Sequence, residues 1–142
     1  MLVIVDLDDT LCNTWEAGKR TMLRAVPFLL KKGKLRALLY LLTAKYRNLE
    51  DSRRLHTLDL HELVEELFRR IYSGISRKEL DELVSFVEGH FFRHLRLYDD
   101  AIPFLEGLKG MNAKVVLVTD SSTNWQRRKI DVLGIGGYTS MT

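Results

Sequence analysis

The stretch Leu2–Leu11, reading Leu-Val-Ile-Val-Asp-Leu-Asp-Asp-Thr-Leu, constrains this chain more than any other. Four apolar residues, three of them aliphatic and β-branched, run directly into three carboxylates within four positions. An unbroken apolar run bounded by polar residues suits a strand buried on both faces, as in a parallel sheet. The carboxylates then fall at the strand's C-terminal end, where open α/β sheets place their ligand sites. Clustered like charges cost free energy unless a cation or a proton compensates them. Asp6, Asp8 and Asp9 therefore coordinate a metal, perform acid–base chemistry or solvate a loop. A strand feeding straight into them weighs against the loop.

A second run of this type is Lys114-Val115-Val116-Leu117-Val118, which ends in Thr119-Asp120-Ser121-Ser122. Between the two patterns, about eighty-five residues read as a unit of four amphipathic helices. The first begins near Trp15, capped by Asn13 or Thr14, with Met22, Ala25, Val26, Leu29 and Leu30 at helical spacing. Pro27 should kink or end it. Leu35, Leu38, Leu39, Leu42 and Tyr46 suggest the second, and Asn48–Thr57 a polar connection. Asp59 caps a third, with Leu60, Leu63, Val64, Leu67, Phe68 and Ile71 on one face. Ser76 with Glu79 is a capping-box signature opening the fourth, which carries Leu80, Leu83, Val84, Val87 and Phe91. A short helix capped by Asp99 or Asp100 then precedes the second strand. A last helix, with Ile130 and Leu133 facing inward, follows it.

Asp6-Leu7-Asp8-Asp9-Thr10-Leu11 closely resembles the first motif of the haloacid dehalogenase-like superfamily, in its phosphatase, phosphoglycolate-phosphatase-like branch. The resemblance implies that Asp6 is a nucleophile that becomes an aspartyl-phosphate and that Asp8 is the general acid/base. The dehalogenases of the family lack the second Asp, so Asp8 points to phosphoryl transfer. A carboxylate is a competent covalent nucleophile, and the reaction depends mainly on positioning and charge neutralisation. The run ending in Thr119 resembles the family's second motif. There the Thr119 hydroxyl and the N–H of Asp120 would bind phosphoryl oxygens. Mg²⁺ would take a carboxylate oxygen of Asp6 and the main-chain carbonyl of Asp8.

The fold implied is α/β. A Rossmann-type parallel sheet core spans residues 1–13 and 97–142, and an inserted α-helical cap spans 14–96. The family pattern continues with a later Lys and a fourth, acidic motif, neither of which follows Tyr138 here. Lys129 lies ten residues past Thr119, earlier than the family's Lys. The chain thus reads as C-terminally shortened. Two functions follow: Mg²⁺-dependent hydrolysis of a small phosphorylated substrate, or an inactive or regulatory module that binds phosphate. With a family strand order of 5-4-1-2-3, the first strand would lie at an exposed edge, open to a second protomer or a partner chain.

Of the remaining signals, few point elsewhere. The single cysteine, Cys12, permits no internal disulfide and suits a reducing cytoplasm; it reads as a small filler. No stretch approaches a membrane span, and the N-terminus lacks the form of a signal peptide. From Lys19 to Arg54 eleven Lys/Arg face two acids. These charges sit on amphipathic helices with few aromatics among them, so a solvated face is favoured over a nucleic-acid footprint. His90 and His94 share an i, i+4 spacing without an apparent third metal ligand. Trp15 and Trp125 read as packing residues, Trp15 where cap and core would meet.

Overall fold

A computed structural model describes residues 1–37, 39, 58, 60–119 and 122–141. In chain order the elements are β1 (Leu2–Asp6), α1 (Thr14–Lys31), α2 (Leu60–Ile71), α3 (Arg77–His94), α4 (Ala101–Gly110), β2 (Lys114–Val118), α5 (Thr123–Leu133) and β3 (Ser140–Met141). The three strands form one sheet in the order β1-β2-β3. All pairs are parallel; Leu2 aligns with Lys114 and Asp6 with Val118. This is an α/β fold of the expected type, with a short third strand besides the two that are clear in the sequence.

One expectation about β1 is overturned. Val3 and Val5 face the core, whereas Leu2 and Ile4 are 60% and 66% exposed and Val118 is 48% exposed. The reason is topological. In a 1-2-3 order, right-handed crossovers carry α4 and α5 to the same face of the sheet. Val5, Val115 and Leu117 accordingly pack with Leu105 and Leu108 of α4 and with Ile130 and Ile135 at the end of α5. Among the described residues nothing covers the opposite face. β1 also has no strand beyond it.

A second apolar cluster holds the helices together: Ala25, Leu29, Ala37, Val64, Phe68, Leu80, Leu83 and Val84. α1 packs chiefly on α3. Its buried stripe is Ala17, Thr21, Ala25 and Leu29, while Met22 and Leu30 of the expected face are exposed. Small residues let the two helices approach closely, and Phe28 stacks on Phe86 with ring centroids 3.9 Å apart. Thr21 satisfies its hydroxyl by donating to the carbonyl of Ala17 at 2.8 Å. α1 continues past Pro27 to Lys31 rather than ending there. The missing N–H removes one helical hydrogen bond, and packing on both sides of it outweighs that loss.

α3 opens with the expected capping box: Ser76 Oγ accepts from Glu79 N, and Glu79 Oε2 accepts from Ser76 N. Such a cap contributes about 1 kcal/mol. α5 ends at Gly134, whose φ of +69° gives the left-handed C-terminal turn. Of the second expected helix, residues 35–37 and 39 are helical. Leu38, Leu42, Tyr46, the polar connection over 48–57 and the Asp59 cap lie outside the described residues. Four of the basic charges of this half are paired locally: Lys19 and Arg20 with Glu16, Lys32 with Glu82 and Lys34 with Glu79. Among the described residues no helix is long and apolar enough to cross a membrane.

Candidate active site

β1 ends at Asp6, whose Cα partner is Val118, one residue before Thr119. The two sequence motifs therefore emerge side by side at the C-terminal edge of adjacent parallel strands. Leu7 turns into the core, 1% exposed, and this alternation sends Asp6 and Asp8 outward. Asp6 is exposed, and its Oδ2 accepts from Thr10 Oγ1 at 2.9 Å. Asp9 adopts a φ of +55°, a conformation that a short polar side chain tolerates. Its Oδ1 accepts the N–H of Trp15 at 2.8 Å, satisfying one of the orphan donors at the start of α1.

Two crossings of the chain hold this loop. Asn13 Oδ1 accepts from Arg96 N at 2.7 Å, and Asn13 Nδ2 donates to the carbonyl of His94. The N–H of Tyr98 donates to the carbonyl of Leu11 at 3.0 Å. The start of α1 and the end of α3 are thereby fixed to the loop that carries the carboxylates.

Asp8 is the hub. Its Oδ1 accepts from Thr14 Oγ1 and from the ammonium of Lys129. Its Oδ2 accepts from Gln126 Nε2 at 2.6 Å. The same Gln126 nitrogen donates to Thr119 Oγ1 at 2.7 Å. Residues from the first and second motifs, 111 positions apart in sequence, thus meet through one amide. Lys129 is 1% exposed and Gln126 fully buried. Gln126 Oε1 is buried without a hydrogen-bond partner among the described residues, at a cost of about 1–3 kcal/mol.

Burial pushes the Asp8 carboxyl up. The Lys129, Thr14 and Gln126 hydrogen bonds and the Lys129 charge more than offset this and hold it below its ordinary 3.8. A carboxyl depressed on folding stabilises the protein above its unfolded pKa, and that contribution is lost as pH falls through the folded one. Thermal unfolding midpoints in metal-free buffer should therefore drop more steeply below about pH 4 in the wild type than in Lys129→Met. Equal acid-side slopes would remove Lys129 as the cause.

Cys12 is fully buried and its thiol is pushed up by burial, so it is the inert filler expected. Trp125 packs against Phe91 and Phe92, with centroids 5.1 and 4.9 Å away. Trp15 is different: at 74% exposure it packs little and stands on the surface next to the carboxylate loop. His90 and His94 lie half-buried with rings 6.4 Å apart. Among the described residues no group of three or more His, Cys, Asp and Glu could hold a metal ion. Asp120 lies outside the described residues. Sequence reasoning passed over Thr14 and Gln126, and it placed Lys129 too early for the family's pattern. The available signal was that Gln126 and Lys129 share the inward stripe of α5 with Ile130 and Leu133, an unusual place for polar side chains.

The chain belongs to the haloacid dehalogenase-like hydrolase family, whose sequence profile matches residues 1–141. No curated protein sequence matches it. Solved structures of the same fold include a haloacid dehalogenase-like family hydrolase from Xanthomonas campestris (18% identity, TM-score 0.63, covering 99% of this chain and 60% of that one). A 2-haloacid dehalogenase from Pseudomonas syringae is similar (18%, 0.61, 99% and 61%). So is a predicted phosphoglycolate phosphatase from Haemophilus somnus (15%, 0.53, 99% and 60%). At these identities the likeness is one of fold. The chain spans about three-fifths of the length of these structures.

Proposed function

We propose that this chain hydrolyses a small phosphate monoester by Mg²⁺-dependent phosphoryl transfer to Asp6. Residues 1–13 and 97–142 act as the catalytic core, and residues 14–96 as an α-helical cap over it. The observation that carries this reading is the bridge through Gln126, which joins Asp8 to Thr119 beside Asp6 at the C-terminal edge of a parallel sheet. Haloacid dehalogenases share the fold. The second carboxylate, Asp8, favours phosphate esters, because their alcohol leaving groups need a proton.

In this mechanism a carboxylate oxygen of Asp6 attacks phosphorus, and the bond from phosphorus to the leaving oxygen breaks. Asp8 gives its proton to that oxygen. Water then attacks the aspartyl-phosphate, Asp8 takes the water's proton, and inorganic phosphate leaves with Asp6 regenerated. Thr119 and the N–H of Asp120 hold the phosphoryl oxygens. Lys129 and the other donors favour the ionised form of Asp8, which suits the base half of the cycle. An arriving phosphate competes for the Lys129 charge and so favours the protonated form needed for the acid half.

The residues present fit Mg²⁺ in a limited way. Asp6 is an exposed carboxylate and the main-chain carbonyl of Asp8 is a second hard oxygen. Mg²⁺ is commonly held by one or two carboxylates with substrate phosphate and water. When bound, the ion supplies charge neutralisation at the transferring phosphoryl group. A second reading, phosphate binding without turnover, is favoured by one observation: no larger metal-binding cluster exists among the described residues.

Release of phosphate from 4-nitrophenyl phosphate, with Mg²⁺ and after its removal by EDTA, tests the proposal beside calorimetry with inorganic phosphate. Turnover that EDTA abolishes is expected. Phosphate binding without turnover would replace the first reading by the second, and neither signal would end both.

A further inference from the structure

We propose that Gln126 is a positioning residue, its side-chain amide holding the Asp8 carboxylate and the Thr119 hydroxyl in fixed relation for phosphoryl transfer. This inference rests on the phosphatase reading above. Gln126 has no solvent exposure, and both hydrogens of Nε2 are committed, one to Asp8 Oδ2 and one to Thr119 Oγ1. The reverse amide orientation would set Oε1 against a carboxylate, so the donor assignment follows from the neighbours. Among the described residues the Oε1 atom has no hydrogen-bond partner, so the fold carries a buried unsatisfied acceptor in order to keep this amide where it is.

The two oxygens of Asp8 are thereby distinguished. Among the described residues Gln126 alone holds Oδ2, while Thr14 and Lys129 both approach Oδ1. A neutral amide donating to Oδ2 keeps its bond whether or not Oδ1 carries a proton. It therefore fixes the plane of the carboxyl group throughout the cycle, which a charged lysine does not do. At Thr119, accepting the amide hydrogen turns the hydroxyl's own hydrogen away from Gln126. Oriented groups of this sort account for much of the advantage of a bound over a free reactant.

The test uses two esters that differ in their need for a proton. The 4-nitrophenolate of 4-nitrophenyl phosphate leaves unaided, whereas the alkoxide of glycerol 2-phosphate needs protonation. In Gln126→Met, of similar length but without the donors, kcat/KM, which reports only the steps up to departure of the leaving group, should fall about 100-fold for glycerol 2-phosphate and less than about 10-fold for 4-nitrophenyl phosphate. Equal losses on both esters, or none, would overturn the positioning role. A second measurement needs neither turnover nor a folded variant at position 126. The Gln126 side-chain amide, followed by NMR, should exchange slowly with solvent and shift in Thr119→Val; exchange as fast as that of an exposed glutamine also overturns the proposal. A wild-type protein that turns over neither ester defeats the phosphatase reading and with it the catalytic purpose of the bridge. A wild-type enzyme whose variant loses both esters alike defeats the positioning role alone.

Discussion

Asp6→Asn should reduce hydrolysis of 4-nitrophenyl phosphate by about 10³-fold or more, the scale on which removing a covalent nucleophile acts. The amide is nearly isosteric with the carboxylate but too weak a nucleophile to attack phosphorus. Asp6 is exposed and, among the described residues, its side chain bonds to Thr10 alone, so the substitution removes little packing. The unfolding midpoint should therefore barely move. Binding of inorganic phosphate should persist or tighten, since one negative charge beside the phosphate is gone. Wild-type turnover by Asp6→Asn, from protein shown by mass spectrometry not to have deamidated, would refute covalent catalysis through this residue.

The second large effect concerns stability. Asp8→Ala should destabilise the protein by about 3 kcal/mol, because it leaves the ammonium of Lys129 buried without its counter-charge. For a chain of this size that corresponds to a fall in unfolding midpoint of roughly 10 °C. The reciprocal change, Lys129→Met, should cost less. Asp8 is 26% exposed and retains Thr14 and Gln126 as donors, so water and two neutral groups still solvate it. In the Lys129→Met background, Asp8→Ala should cost no more than about 1 kcal/mol. A double-mutant cycle measured by chemical denaturation reads the difference directly. Additive effects would show that Lys129 has another means of compensation.

Much of the fold was legible because its signals are local. The apolar runs of β1 and β2, the capping box at Ser76 and the helical spacing through Leu80, Leu83 and Val84 each declare themselves within a few residues. What was misread depends on distant partners. Leu2 and Ile4 look like buried strand residues, and only the crossover topology leaves their face uncovered. Pro27 reads as a kink or an end of the helix, and of these the end is excluded, since α1 passes through it under packing from α3. Trp15 reads as a packing residue where cap and core would meet, but the bond from its N–H to Asp9 anchors the backbone at the start of α1 while the ring stays in solvent.

The candidate site divides in the same way. Asp6, Asp8 and Thr119 stand in recognisable local motifs, whereas the groups that hold Asp8 come from elsewhere in the chain. Gln126 and Lys129 are 118 and 121 positions from it, on a helix whose polar residues ordinarily face water. Their placement could be read only from an inward helical stripe that happens to contain an amide and an ammonium.

That separation also sets a schedule for assembly. Among the described residues β1 pairs only with β2, and Gln126 and Lys129, which hold Asp8 from α5, follow β2. A growing chain therefore exposes its first strand and the Asp8 carboxylate before its strand partner and its counter-charge have been made. At ribosomal rates of about 5–20 residues per second, this wait lasts on the order of ten seconds. Through it, α1, α2 and α3 can gather around their own apolar cluster, while the strand edges stay without partners. Parallel pairing across so long an insert is intrinsically slow. The residues around Asp8 are thus among the last to come together, and a pulse of hydrogen exchange during refolding should find the helical cluster protected before the N–H groups of β1.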